Sequence, residues 1–99
     1  MESKNTTCEN SIEKRLVTEV ERGGGWCLKL PAIHNAGLPD RLCLFPGGEV
    51  VFVELKAFGK KPRKIQTLMH QKLKAMGFRV EVIDTTMGCK MLALEYDRK

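Results

Sequence analysis

The stretch RLCLFPGGEVVFVELKA, residues 41–57, decides how this chain folds. Two runs of strand-forming residues, 41–45 and 49–57, flank a proline and two glycines, which predicts a β-hairpin turning at Gly47 and Gly48. Side chains alternate along a strand, so Val51, Val53, Leu55 and Ala57 share one face of the second run. Val50, Phe52, Glu54 and Lys56 share the other. A carboxylate and an ammonium at i and i+2 on a central strand cost on the order of several kcal/mol to desolvate, unless each is paired or holds an ion.

An isolated E-x-K is more often a structural ion pair, and Asp40 is what shifts that balance. Counting back from the turn, residues 40 and 41 fall opposite 54 and 55, so Asp40 approaches Glu54 across the ladder. Two carboxylates brought together repel unless a proton or a cation lies between them. Carboxylate oxygens, a backbone carbonyl and water form the hard-oxygen shell that suits Mg²⁺ or Mn²⁺. Beside such an ion Lys56 gains a use, orienting an attacking water or stabilising charge on a phosphate. Glu9 and Glu13, four apart on one helix face, are candidates for a third carboxylate, although helix acids are more often simply solvated.

Outward from the hairpin, Ile12, Leu16, Val17 and Val20 recur at helical spacing over 7–22, and Gly23, Gly24 and Gly25 end that helix. Residues 26–31 read as a short strand, with Trp26 as its packing anchor, and 32–40 as a loop carrying His34. Over 63–76 a second helix places Ile65, Leu68, Met69, Leu73 and Met76 on one stripe, which predicts its core side. A strand over 78–84 and a short helix from about residue 87 complete the chain. The order α-β-β-β-α-β implies an α/β fold, a mixed sheet flanked by helices, with the strand after the second helix joining by a right-handed crossover.

Composition bounds the rest. Ninety-nine residues, 42% hydrophobic and 29% charged, fit one small globular domain spanning 1–99. No apolar run approaches the roughly 20 residues of a membrane span, and the polar start lacks signal-peptide order, so an intracellular protein with no membrane partner is expected. Cys8, Cys27, Cys43 and Cys89 lack zinc spacing and are read as reduced, Cys27 and Cys43 within the core. Between residues 56 and 80 lie eight basic residues and no acid; taken from the overall +5 they leave −3 on the remainder. A basic field beside an acidic cluster suits a polyanion held against a cation, although a solvated helix face would look the same.

The strings GLPD (37–40) and VVFVELKAFGKKPRKIQ (50–66) resemble the VRR-NUC (virus-type replication-repair nuclease) branch of the PD-(D/E)xK superfamily. PD, then ExK fourteen residues on, then KxPRxxQ opening a helix is a specific combination, and the likeness runs from Glu9 to about Asp84. It implies the restriction-endonuclease-like αβββαβ core. Asp40, Glu54 and the Leu55 carbonyl become ligands for Mg²⁺ or Mn²⁺, Lys56 the catalytic lysine and Gln66 the active-site glutamine. Glu9 becomes the N-terminal helix acid, with Glu13 competing for that role. Lys29, Lys60, Lys61, Arg63, Lys64 and His70 are candidate DNA contacts.

Standalone members of that kind come from phages and prophages and are similar to Holliday-junction resolvases. The resemblance therefore implies a structure-selective endonuclease in the cytoplasm of a bacterial host, acting on branched DNA in replication, recombination or repair. Symmetric cleavage of a four-way junction needs two sites, which implies a homodimer. The alternatives are a flap, nick or duplex nuclease of the same fold and a non-catalytic nucleic-acid-binding module.

Overall fold

The computed structural model describes residues 8–31 and 36–97. Its elements are α1 (Glu9–Arg22), β1 (Trp26–Lys29), β2 (Arg41–Phe45), β3 (Glu49–Leu55), α2 (Lys64–Ala75), β4 (Arg79–Ile83) and α3 (Thr86–Glu95). They follow the expected order, each strand slightly shorter than or equal to its predicted run. His34 and Thr7, the predicted start of the first helix, lie outside the described residues.

The sheet runs β1-β2-β3-β4, antiparallel across its first two seams and parallel between β3 and β4. A parallel pair needs a crossover, and α2 supplies it. The hairpin turns where predicted: Gly47 and Gly48 have φ of 94° and 85°, and the Gly48 N–H donates to the Phe45 carbonyl at 3.1 Å. Its register pairs Arg41 with Val53, so Asp40 enters the strand level with Glu54.

One face of the sheet carries the core. Val51, Val53 and Leu55 pack there with Ile12, Leu16 and Val20 of α1 and Cys89 and Leu92 of α3. Cys27 and Cys43 join them as free buried thiols directly opposite one another, Sγ to Sγ 3.9 Å. Helix α3 is capped by Thr85, whose hydroxyl accepts the Gly88 N–H at 2.9 Å, and Tyr96 just beyond it stacks on Phe45 with centroids 4.2 Å apart. No described helix is long and apolar enough to cross a membrane.

Helix α2 lies on the opposite face and is turned away from the predicted stripe. Gln66, His70 and Leu73 are buried, whereas Ile65, Leu68 and Met76 are exposed. The cause is the face that it covers: Glu54 needs hydrogen-bond donors, and Gln66 and His70, one turn apart, supply polar atoms where an aliphatic stripe would leave a buried charge alone. Trp26 also departs from expectation, 60% exposed at the start of an edge strand rather than anchoring the core.

Candidate active site

The site forms where the hairpin's open end meets the start of α2. Asp40 is fixed twice: its carbonyl accepts the Leu30 N–H at 2.8 Å, and its Oδ2 accepts the Leu55 N–H at 2.8 Å. These bonds tie the PD loop to β1 and β3 together, aligning Asp40 with Glu54. Gly37, three residues earlier, has φ of 89° and packs so closely that an added Cβ would stand 2.7 Å from the Ile65 carbonyl oxygen. Glycine is therefore required for the loop to lie against α2.

Glu54 is 1% exposed. Its Oε2 accepts the Gln66 amide at 2.8 Å and pairs with Lys56 Nζ at 3.3 Å. The Gln66 amide is itself oriented, because its Oε1 accepts the Arg63 N–H at 2.8 Å. One glutamine thus caps the start of α2 and holds the carboxylate. Burial pushes the Glu54 pKa up to about 7, and the negative charge of Asp40 adds to the rise, with Lys56 opposing both. Among the described residues, only Glu54 Oε1 and His70 Nε2 are buried side-chain polar atoms without a hydrogen-bond partner; they are 4.0 Å apart.

These observations fit a divalent cation. Two carboxylates repel across the ladder, and one offers a buried, hard oxygen with no donor. Asp40 and Glu54 are the residues able to hold it. Among the described residues, no three His, Cys, Asp or Glu side chains gather as a cluster able to hold a metal. The predicted third acid stands apart from the pair.

Glu9 and Glu13 differ in their ion pairing. Glu13 Oε2 accepts Arg41 Nε at 2.8 Å and Lys29 Nζ at 2.9 Å. Although burial raises the Glu13 pKa, these two cations more than reverse it and hold it below the ordinary value. Glu13 is therefore committed to a strap between α1 and the first two strands. Glu9, one turn earlier and exposed, still adds to the negative field at Glu54.

Arg41 is the residue that sequence reasoning missed. It also donates from Nη1 to the Cys27 carbonyl at 3.1 Å. The available signal was register: Lys29 and Arg41 sit directly opposite each other, and two cations so placed require an anion between them.

Among the expected DNA contacts, Lys60, Lys61, Arg63 and Lys64 are exposed, in the segment that leads into α2 and at its start. Lys29 is exposed as well but engaged by Glu13. His70 departs from that expectation: it is 6% exposed and packs 4.0 Å from Glu54, so little of it is open to DNA. Burial lowers its pKa, assisted by the charges of Lys74 and Lys56, which keeps the ring neutral around pH 7.

No family model matches the chain. It is similar to "Putative nuclease p44" of Acyrthosiphon pisum secondary endosymbiont phage 1, at 46% identity over 77 residues, 78% of this chain and 83% of that protein. It is also similar to a solved structure described as a "VRR_NUC domain", with a TM-score of 0.82 and 30% identity. That match covers 91% of this chain and 98% of the other.

Proposed function

The chain belongs to the VRR-NUC family of nucleases within the PD-(D/E)xK superfamily, and on that premise we propose that it is a metal-dependent, structure-selective DNA endonuclease. The observation that carries this reading is Glu54, buried under α2 beside Lys56 and faced by Asp40, with one oxygen left unsatisfied. A purely structural ion pair has no use for the second carboxylate or for the orphaned oxygen.

In this reading Asp40, Glu54 and the Leu55 carbonyl hold Mg²⁺ or Mn²⁺. When bound, the cation supplies Lewis-acid polarisation of the phosphate and a more acidic water. Lys56 reaches the surface from a side chain that is 15% exposed, and donates to the phosphate or the attacking water. Gln66 fixes Glu54 so that its free oxygen keeps its place. Glu9 is the helix acid, acting from the rim, and Lys60, Lys61, Arg63 and Lys64 seat the neighbouring phosphates. The whole chain serves as one nuclease domain in the cytoplasm of a bacterial host.

The substrate favoured is branched DNA, a four-way junction resolved by a homodimer with one site per protomer. The test is incubation of purified protein with labelled junction, flap, single-stranded and duplex DNA, with Mg²⁺, Mn²⁺ or chelator. Paired nicks in opposing junction arms, dependent on metal, are expected. Preferential cutting of flaps or duplex would overturn the junction assignment, and no cleavage of any substrate with either metal would overturn the enzyme.

A further inference from the structure

The unsatisfied pair beneath the site has a partner relationship that its distance reveals. Glu54 Oε2 is filled, by Gln66 at 2.8 Å and by Lys56 at 3.3 Å. Oε1 has neither donor, yet His70 Nε2 lies 4.0 Å from it, itself buried and without a partner. A gap of that length is too short for a bridging water, which needs a hydrogen bond of about 2.8 Å on each side at an open angle. It is about 1 Å longer than a direct bond. Closing it needs a movement of about 1 Å.

Gln66 and His70 are four residues apart on α2, so one helix face presents two groups to the two oxygens of one carboxylate. That also explains why α2 buries a histidine while Ile65 and Leu68 stay in solvent. Each carboxylate oxygen has two lone pairs, so accepting a bond from behind leaves Oε1 able to take a cation from the front.

We infer that His70 is a positioning residue for metal binding: its Nε2–H donates to Glu54 Oε1 and, together with Gln66, clamps the carboxylate in one orientation. His70 does not itself ligate the ion. Donors behind a ligating carboxylate or histidine set its orientation, and losing one weakens metal affinity or activity by roughly 10- to 100-fold.

The inference rests on the reading of Glu54 as a metal ligand, and the experiment separates the two. Mn²⁺ binding is measured by calorimetry on wild-type protein, His70→Leu and His70→Gln, without DNA. Expected is a roughly 10- to 100-fold weaker Mn²⁺ affinity in His70→Leu, largely restored in His70→Gln, which keeps an N–H donor. Junction binding in chelator stays unchanged in both. Wild-type protein that binds no Mn²⁺ overturns the Glu54 reading, whereas equal Mn²⁺ affinity in wild type and His70→Leu overturns only the role of His70. A ¹⁴N coupling in the Mn²⁺ spin-echo spectrum of wild type, lost in His70→Gln, would make His70 a ligand and also overturn it. Should the leucine variant fail to fold, ¹⁵N NMR of wild type decides: a proton on Nε2 supports the clamp, and a bare Nε2 in the Mg²⁺-loaded protein refutes it.

Discussion

On one face of β3, Val51, Val53 and Leu55 are fully buried beneath α1 and α3. On the other face, Glu54 and, just past the end of the strand, Lys56 lie beneath α2 with Gln66 and His70. Neighbouring residues therefore live in opposite environments, one apolar and close-packed, the other polar and incompletely satisfied. Hydrophobic burial on the first face supplies most of the drive to fold, which frees the second to hold charges that destabilise the empty protein. The difference should appear as a separation of effects: changes on the α2 face should cost activity, and changes on the α1–α3 face should cost stability.

The largest separation is expected at Lys56. Lys56→Ala should reduce single-turnover cleavage of a junction by about 10³-fold, within the range for a positioned proton-transfer group. Its thermal midpoint should fall only in part at neutral pH, because Glu54 loses its cation but can take up a proton instead. A variant that cuts at the wild-type rate but melts early would reverse the assignment of the two faces.

Leu16→Ala is the complementary change. Leu16 is fully buried against the sheet, and truncation there should cost about 3 kcal/mol, by lost transfer energy and a residual cavity. Urea unfolding measures this directly, while cleavage per folded molecule should stay near wild type. A loss of activity exceeding the loss of folded protein would show that the faces are coupled through β3.

The faces also differ in how far the sequence discloses them. The hairpin, its register and the meeting of Asp40 with Glu54 were legible because turn chemistry is local and strand alternation is strict. The apolar face followed from the same alternation. The α2 face did not, since Ile65, Leu68 and Met76 make a good helical stripe by spacing alone, and only the demand of Glu54 for donors turns the helix. Glu13 was equally hidden. Nothing local separates it from Glu9, and its role emerges from Lys29 and Arg41, which come together only when β1 and β2 pair.

Acidity gives a third contrast. The fold raises Glu54 from an ordinary value near 4.5 to about 7, so it favours the protonated carboxyl. This contribution is fully present below about pH 4.5 and is lost as pH rises through about 7, on the order of 3 kcal/mol for the metal-free protein. Glu54→Gln should abolish that loss, making the variant more stable than wild type at pH 8 in chelator. Mg²⁺ should narrow the gap by stabilising only the wild-type carboxylate. Parallel pH–stability curves for the two proteins would show that Glu54 is not destabilised by its surroundings.

The smallest effect tests how far the division extends to the surface. Lys60 and Lys61 are exposed in the segment leading into α2, whereas Lys90 is exposed on α3. Each phosphate contact contributes about 0.9 to the slope of log affinity against log salt concentration. Lys60→Ala or Lys61→Ala should therefore lower that slope by about 1 and weaken junction binding several-fold at moderate salt, equally for all sequences. Lys90→Ala should leave slope and affinity unchanged. Equal slopes for all three variants would mean that DNA does not distinguish the faces, and that the polar chemistry beneath α2 is not matched by a binding surface above it.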